Sequence, residues 1–327
     1  MNAISGIAEI KTVNFFPGKI SEWDIQMGDS FQLLIDNQAV ITGYIEHIEC
    51  KQENKNQYVK FILRDKTADL VDCNWNEAVR EWKKQTVYNL VNALCSPFDI
   101  SVTSDSEVSA AIQKKIETFK INEGEFISDA ILRICNPVDL IPGSYGDGKL
   151  SLMKSTQTKK SYDAIDTAGN VIKRTAIYSD MDRYSEYIVK GMGPGTEQKD
   201  NYADYLQCKG QVSDSVIGRY RPKVLFDGVT DSGKCADYAA WMKQVKAGQS
   251  RGKRYTVKNW VQTNGDVWAI NRIVRVYDPY LQIDKDMLIS DVHFSYQEGN
   301  GHRTELTVVE KGTYTKTQTT IKSEFDV

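Results

Sequence analysis

The stretch that decides the fold lies in the last third of the chain and reads Tyr255-Thr-Val-Lys-Asn-Trp-Val-Gln-Thr-Asn264-Gly265-Asp-Val-Trp268-Ala269. It contains two short apolar runs, with Asn264-Gly265 between them. Asn-Gly in this setting is the strongest short-range signal for a β-hairpin, because both central residues of a type I′ turn need positive φ. The stretch therefore predicts two antiparallel strands joined by a type I′ turn.

Strand patterns follow this hairpin and also open the chain. In residues 57–64, Val59, Phe61 and Leu63 alternate with polar residues, which is the period of a sheet with one buried face. Short antiparallel strands at this spacing predict a small barrel or sandwich. The other predicted strands of the two β segments are residues 7–15, 31–35, 39–50, 271–278, 287–294 and 304–309.

The middle of the chain has helical periods instead. Residues 76–94 carry apolar or small side chains every three or four positions (Val79, Trp82, Thr86, Leu90, Leu94), which predicts an amphipathic helix that ends at Cys95-Ser96-Pro97. A second helix is predicted over 123–135, with Phe126, Ala130, Ile131 and Ile134 inward, because the residue before Pro137 disfavours helix. Short strands at 100–103, 117–121 and 149–153 would complete an α+β module.

The predicted fold class is mainly β with an α+β insert, namely two small antiparallel β-barrels plus a helical α+β module. Residues 183–192 read as a strand, 193–213 as an exposed loop and 234–247 as a third helix, and no exact internal repeat is present. The expected parts are residues 1–72, a first barrel open to completion by a strand from 155–195; 73–153, the α+β module; 154–232, connecting strands and a polar loop; 233–312, a second barrel with its packing helix; and 313–327, a flexible tail.

Composition excludes several function classes. The 41 Lys and Arg residues face 44 Asp and Glu residues, which gives a net charge of −3. A dedicated nucleic-acid binder normally has a basic excess, since phosphate contacts supply most of its affinity. No apolar run approaches the roughly 20 residues of a membrane span, and no secretory signal opens the chain. We expect folding in a cytosol and no stable membrane insertion.

Cysteine and histidine usage argues against a metal centre. The six cysteines are scattered without a CxxC pair, and there are three histidines, His47, His293 and His302. Structural zinc usually needs closely spaced ligand pairs. We expect buried, reduced thiols.

Several polar and aromatic groups could have either a binding or catalytic role or a purely structural one. Asp65, Asp69 and Asp72 could form a metal or acid–base site, but sequence neighbours seldom face each other across a cleft; we favour capping of a short helix, 68–71, by Asp65 and Thr67. Arg183 with Asp180 and Asp182 could bind an anion, or form a surface ion pair leading into a strand. The three tryptophans Trp241, Trp260 and Trp268 could form a sugar platform or pack internally.

Nucleophile and phosphate motifs are absent from the sequence. Neither Cys95 nor Ser144 lies in a Gly-x-Ser-x-Gly elbow, and the glycines at 191, 193 and 195 are followed by polar sequence without a helix start. We therefore predict no catalytic, cofactor-binding or metal-binding residue, no cofactor and no enzyme activity.

Four groups of residues together resemble the central baseplate hub protein of contractile-tailed, Mu-like phages, in an order that covers roughly residues 5–310. One departure is Asn259-Trp260, where the family usually has Gly-Trp. The groups are Val40-Ile-Thr-Gly43-Tyr44, Leu63-Arg64-Asp65 through Cys73, Asp182-Arg183-Tyr184 through Val189, and a C-terminal block with Arg221-Pro222, Ala239-Ala240-Trp241, Tyr255 to Trp260, Asn264-Gly265, Trp268, Asn271 and Asp278-Pro279.

The resemblance implies a homotrimer in which each subunit supplies two similar barrels, so that six barrels form a ring. Such a ring would join a threefold spike to a sixfold tail tube and leave a channel for transient, non-specific DNA passage. The implied partners are the central spike protein, the tail tube protein and other baseplate proteins, and the implied location is the virion tail, assembled in the host cytoplasm.

Two other interpretations stay open at the level of sequence. One is a tail-tip enzyme that degrades cell walls, or a glycan-binding β-protein; clearing of a peptidoglycan zymogram by the purified protein would favour it. The other is the hub of a related secretion system or contractile bacteriocin, which would share the fold and the trimer.

Overall fold

A computed structural model describes residues 4–13, 24–53, 56–191, 208–226 and 232–315. The chain divides into two compact units, Met1–Lys154 and Ser155–Val327. Strands dominate both, and two of the sheets curl into half-barrels, so the prediction of a mainly β chain with two β modules is confirmed.

The first unit begins with a four-stranded antiparallel sheet in the order β1-β4-β3-β2. Alternation places Val59, Phe61 and Leu63 in a small core on one face, while Lys60 and Arg64 lie on the other face. The strands are β1 (Ile7–Val13), β2 (Ser30–Ile35), β3 (Gln38–Glu53) and β4 (Asn56–Asp65).

An α+β module completes the first unit. Its core lies around the apolar faces of two short helices, with Leu90, Leu94, Ile131 and Ile134 fully buried. Its elements are α1 (Ala68–Asp72), β5 (Glu81–Thr86), α2 (Val87–Cys95), β6 (Val102–Ser104), α3 (Ser109–Ile112), β7 (Lys115–Lys120), α4 (Ile127–Cys135), β8 (Ile141–Gly143) and β9 (Leu150–Met153).

The predicted helix over 76–94 is wrong in its first half. Residues Glu81–Thr86 form β5, in which Trp82 pairs with Phe119 of β7, and positive φ at Lys84 interrupts the ladder. Helix α2 starts after Thr86, whose hydroxyl accepts a hydrogen bond from the Asn89 amide and so forms the N-cap. The prediction used only the spacing of apolar residues and did not consider this cap. The helical spacing of Val79 and Trp82 with Leu90 is therefore coincidental.

The second helix is shorter than predicted. It starts at Ile127, and Phe126, expected on the inner face, occupies the extended N-cap position with 44% of its surface exposed. The residues inward on α4 are Ile127, Ala130, Ile131 and Ile134, so the predicted apolar face is correct except at its first member.

The α+β module contains a structural repeat whose two copies differ in most of their amino-acid sequence. α2 and α4 each end in cysteine, a 3-10 turn with proline, and an aspartate in the left-handed region, at φ 52° for Asp99 and 59° for Asp139. In each copy the residue after that aspartate donates its amide to the cysteine carbonyl, at 3.3 Å for Ile100 and 3.1 Å for Leu140. Each copy is a strand, a helix and a second strand, and β5 pairs with β7 across them.

The second unit contains a six-stranded sheet and a three-stranded sheet. The larger has the order β10-β16-β17-β18-β15-β11, and the smaller has the order β13-β12-β14. The elements are β10 (Ile165–Asp166), β11 (Val171–Ala176), β12 (Glu186–Gly191), β13 (Cys208–Ser213), β14 (Pro222–Phe226), α5 (Ser232–Gln249), β15 (Lys253–Lys258), β16 (Ile273–Asp278), β17 (Ile283–Gln297) and β18 (Gly301–Glu310).

The two curled sheets share one topology. The first sheet has the strand order β1-β4-β3-β2, in which the first strand of the group pairs with the fourth. Within the larger sheet β15-β18-β17-β16 has the same order, counted from β15. The long third strand of each carries a register shift, between Ile45 and His47 in β3 and between Ile289 and Asp291 in β17. A bulge bends its strand and increases local twist, which favours a curled sheet.

The predicted hairpin at Asn264-Gly265 has the right place but the wrong turn. Gly265 has φ 88°, whereas Asn264 is not in the positive-φ region, so the turn is not type I′. The Gly265 amide bonds to the Gln262 carbonyl, and the Asn264 carboxamide oxygen accepts from the Asp266 amide. Only Val261 and Val267 pair across it, because β15 pairs with β11 and β18 instead.

The predicted exposed loop over 193–213 is wrong at its end. Residues from Cys208 onward form β13, which pairs with β12 from Gly191 back to Glu186. Residues 192–207 lie outside the described residues. The helix predicted over 234–247 is confirmed as α5, which extends two residues further at each end. Thr313 and Tyr314 are buried, and the predicted flexible tail stays a prediction over 316–327, which also lie outside the described residues.

We predict that Gly210→Ala destabilises the second unit. A Cβ at position 210 would lie 2.1 Å from the amide nitrogen of Ala236 in α5, so the helix or β13 must shift. Overpacking of this kind costs about 1–3 kcal/mol in unfolding free energy. Urea unfolding measures the loss, and Gly218→Ala is the matched control, because nothing lies within 4 Å of its Cβ. Equal stability of the two variants would contradict the close approach of α5.

Candidate functional site

Open sheet edges are the candidate functional surfaces of this chain. Among the described residues, β1 and β2 flank the first sheet, β10 and β11 the second, and β13 and β14 the third, each with a ladder on one side only. An edge strand presents unpaired N–H and C=O groups that can pair with a strand of another chain. Such edges are suited to assembly.

Apolar side chains are exposed at several of these edges. Ile7 and Val13 stand out on β1, Ile172 on β11, and Val224 and Phe226 on β14. Single exposed apolar residues are ordinary, but their position on unpaired strands combines backbone pairing with apolar contact. The edges therefore offer both elements of a strand-mediated interface.

The solvent faces of the curled sheets carry alternating charges. Lys60 lies 2.9 Å from Glu9 on the first sheet, and Lys285 lies 2.7 Å from Glu310 on the second. Arg275 contacts Asp284 at 2.6 Å. Exposed pairs of this kind contribute little to stability, and they leave these faces with balanced charge rather than a basic surface.

A buried ion pair holds the third sheet. Arg183, before β12, donates from Nε to Asp214 Oδ2 at 2.7 Å and from Nη2 to Oδ1 at 3.2 Å. Both side chains are almost fully buried. The expected surface pair of Arg183 with Asp180 or Asp182 is therefore wrong, because the true partner is 31 residues away and is brought in by the β12–β13 pairing.

Burial opposes ionisation of the Asp214 carboxyl, but the hydrogen bonds and charge of Arg183 outweigh it and lower the pKa of Asp214. The Arg183 Nη1 also lies 3.5 Å from the Ser250 hydroxyl, at the end of α5. The pair therefore fixes the ends of β12 and β13 against the helix that covers them.

A second buried carboxylate lies under the six-stranded sheet. Asp278 accepts from Arg174 Nη1 at 3.0 Å and from the Tyr255 hydroxyl at 3.2 Å. Burial, together with the neighbouring Asp278 charge, raises the pKa of Tyr255 above its ordinary value. The group links β11, β15 and β16, and its hydrogen bonds are those of a structural support.

Asp65 and Thr67 do not cap the short helix α1 as predicted. Asp65 is buried and accepts from the Ser144 hydroxyl at 2.5 Å, while its Oδ1 has no hydrogen-bond partner among the described residues. The Thr67 hydroxyl donates to the Ile4 carbonyl and forms no side-chain cap for α1, so the predicted capping is wrong. Burial raises the pKa of Asp65, and the Ser144 hydrogen bond offsets part of that shift. Asp72 instead pairs with Arg64.

The tryptophans separate into different environments. Trp268 is buried in the second sheet's core, while Trp241 stacks on Tyr238 in α5. Trp260 is half-buried, outside any strand, and its ring centroid lies 4.1 Å from that of His302. Trp268 therefore packs internally, whereas Trp260 lies in an aromatic cluster with His302 and Tyr296.

The remaining candidates are dispersed. Cys95 and Cys135 are buried, which raises the pKa of each thiol to about 12, whereas Cys50 is exposed, against the expectation of uniformly buried thiols. Within the described ranges, no group of three His, Cys, Asp or Glu side chains could hold a metal ion. None of the described helices has the length and apolar character needed to span a membrane.

Comparison with known proteins finds relatives among phage baseplate proteins. Residues 67–154 match the family "Baseplate hub protein gp44-like, second domain", and residues 232–316 match "Mu phage baseplate assembly protein GpP, fourth domain". The baseplate hub protein gp44 of Escherichia phage Mu is 27% identical over 289 residues, which cover 86% of this chain and 75% of that protein. Together these matches support a baseplate hub protein of the Mu-like phage tail.

Solved structures agree with this fold. The 43 kDa tail protein of prophage MuSo2 from Shewanella oneidensis matches the hub protein with a TM-score of 0.80 and 25% identity, over 97% of this chain and 93% of the other. A tail protein from Neisseria meningitidis MC58 has a TM-score of 0.75 at 20% identity, over 96% and 94% of the two chains, and shows the shared fold.

We predict that Arg183→Met destabilises the hub protein by about 3–5 kcal/mol, because it leaves Asp214 buried without its partner. The double variant Arg183→Met with Asp214→Leu should lose less than the single variant, since no charge is then left uncompensated. Urea unfolding of the two single variants and the double variant gives the coupling energy. Arg275→Met, at an exposed pair, is the control and should change little. Additive losses in the double variant would contradict a coupled pair.

We also predict a pH-dependent effect of Asp65→Asn. The raised pKa means that the folded state holds this proton more tightly, so the unfolding free energy of the wild type falls as pH rises from about 3.8 through the raised pKa. The asparagine variant lacks this loss, so its melting temperature relative to wild type should increase over that range and then level off. Ser144→Ala should extend the loss of stability to higher pH, because the Ser144 hydrogen bond opposes the upward shift of the Asp65 pKa. A constant difference between pH 3.5 and 7 would contradict the assignment.

Proposed function

We propose that this hub protein assembles as a homotrimer at the centre of the baseplate, joins the tail tube to the central spike, and encloses a channel for DNA. The observation that carries the proposal is the repeated strand order of β1-β4-β3-β2 and β15-β18-β17-β16 within one chain. Three copies would then supply six modules of one topology.

Symmetry gives this arrangement its physical reason. A closed ring requires each interface to be satisfied by the next subunit. A trimer of two-module chains has threefold symmetry for a spike and approximates sixfold symmetry for a tube, so one ring can contact both. Open edges on both modules would allow hydrogen bonding to continue from subunit to subunit.

Charge balance is compatible with a DNA channel. A wall that bound DNA tightly would slow passage, and tight binding requires a basic excess. The net charge of −3 and the paired charges of Lys60 with Glu9 and Lys285 with Glu310 give these surfaces little net affinity for phosphate.

The role is structural in this proposal. Mu gp44 is named a baseplate hub protein, and the buried polar groups of this chain, Arg183 with Asp214 and Tyr255 with Asp278, are saturated by each other rather than open to a substrate. Assembly would take place in the host cytoplasm, where the other tail proteins are made, and the mature location would be the virion tail.

We predict that the purified protein forms trimers. Light scattering coupled to size exclusion should give three times the 37.0 kDa chain mass, and negative-stain images should show a ring with a central hole. A series of loading concentrations distinguishes weak assembly, which spike binding would strengthen, from no assembly. A stable monomer at all micromolar concentrations, or a stable dimer, in the presence of the spike protein would contradict the proposal.

A further inference from the structure

The second unit carries a cleft at one end of its six-stranded sheet. The two edge strands of that sheet, β10 and β11, are joined by residues 167–170, so the curl brings its edges together at this end. The cleft has a volume of about 480 Å³. Asp166 and Lys258 are the lining residues that belong to strands, and each is the last residue of its strand. The cleft is therefore built by loops at the mouth of a curled sheet, a common place for a small-ligand site.

The walls of the cleft are held by groups that satisfy one another. Asp163 accepts hydrogen bonds from the Thr263 amide at 2.8 Å and from the Thr263 hydroxyl at 2.5 Å. The buried Gln262 side chain accepts from the amides of Tyr162 and Asp163, at 2.8 Å and 3.1 Å. These contacts tie the loop after β15 to the segment before β10, so the shape of the cleft is fixed before any ligand arrives.

Trp268 contributes a buried donor without an acceptor. Its ring belongs to the core of the larger sheet and is 3% exposed, and the same residue lines the cleft. Its indole Nε1 has no hydrogen-bond partner among the described residues. A buried indole N–H usually donates to an acceptor, because an unpaired donor has lost its hydration without compensation. The apolar body of the ring fills the core, and its N–H is left for a ligand in the cleft.

Two ionisable side chains of the cleft are also open to a ligand. Asp166 Oδ1 accepts from the Ala168 amide at 2.9 Å, whereas Oδ2 has no polar partner within the described ranges. The Lys258 ammonium takes part in no ion pair with any described residue. Asp166 is an acceptor, while Lys258 and the Trp268 indole are donors. One cleft thus presents both kinds of hydrogen-bonding group.

This set of groups selects among ligand classes. A bare metal ion needs several acceptor atoms, but Trp268 and Lys258 are donors. A phosphate is disfavoured, because the charges of Asp163 and Asp166 outweigh that of Lys258. An extended peptide pairs along a strand edge, whereas this cleft lies where strands end. A sugar hydroxyl both donates and accepts, so neighbouring hydroxyls satisfy both kinds of group at once.

We propose that this cleft binds a neutral mono- or disaccharide. One hydroxyl accepts from the Trp268 indole and donates to Asp166, and a neighbouring hydroxyl accepts from Lys258. The volume of about 480 Å³ lies within the range of roughly 300–1,000 Å³ that small-molecule sites occupy. Trp268 acts here through its N–H rather than as a stacking surface. The site lies within the second unit of one chain, goes beyond the structural role proposed above and does not depend on the trimer.

Saturation-transfer difference NMR of the full chain tests the site, with glucose, galactose, N-acetylglucosamine and maltose as probes. We expect saturable binding of at least one probe, for which calorimetry gives the dissociation constant. Asp166→Asn keeps an acceptor for the Ala168 amide but removes the open carboxylate oxygen, and it should weaken that probe at least about tenfold. Lys258→Met, which keeps the aliphatic stem, should also weaken it. Asp284→Asn, at an exposed ion pair outside the cleft, is the matched control and should leave the affinity unchanged.

Trp268→Phe isolates the indole N–H, because it keeps an aromatic ring in the core. It should lose binding to a similar extent, with far-ultraviolet circular dichroism and the urea midpoint as the checks on folding. If this core variant unfolds, Asp166→Asn and Lys258→Met still decide the question.

Three results would overturn the proposal. Absence of saturable binding of every probe to the wild type would mean that water alone meets the Trp268 N–H. Equal affinity in the wild type, Asp166→Asn and Lys258→Met would place the sugar elsewhere on the chain. Binding of inorganic phosphate but of no sugar would assign the cleft to an anion.

Discussion

The constraint on which the rest of the structure depends is the pairing of backbone groups at strand edges. A sheet that stays open leaves one row of N–H and C=O groups on each side, and a chain must protect or use them. Here β11 carries Lys173 and Arg174, and β1 carries Glu9 and Lys11, which favours specific partners over random association. A hub protein needs such edges, because its role is to be one member of a larger assembly.

The strands of both curled sheets could be predicted from sequence because their signal is local. In β4, Val59, Phe61 and Leu63 alternate with polar residues, and all three buried side chains lie on the same face of the sheet. Helix α5 was equally predictable, since Cys235, Ala239 and Met242 recur at helical spacing. The resemblance to baseplate hub proteins rested on four groups of residues, of which Ala239-Ala240-Trp241 lies in α5, and it is confirmed.

The rest could not be predicted because it depends on contacts between distant residues. The sequence around Arg183 does not indicate that Asp214 is its partner. Likewise, the sequence around Asp65 does not indicate Ser144, which is 79 residues away. β5 was mistaken for helix because Trp82 packs against Phe119, a neighbour that only the β5–β7 pairing supplies. The turn at Asn264 took another form because the strands beside it pair elsewhere. Periodicity fixes which face is buried, but not what buries it.

The equivalence of the two β modules resides in backbone geometry rather than in side chains. The third strand of each sheet inserts one extra residue, Glu46 in β3 and Ser290 in β17, two residues beyond the last residue that pairs with the strand on its other side. A bulge there bends the strand and strengthens its twist, so two unlike sequences curl in the same way. The proposed ring would depend on that curvature and on the edges. This is why the side chains of the two modules can differ while the strand order is kept.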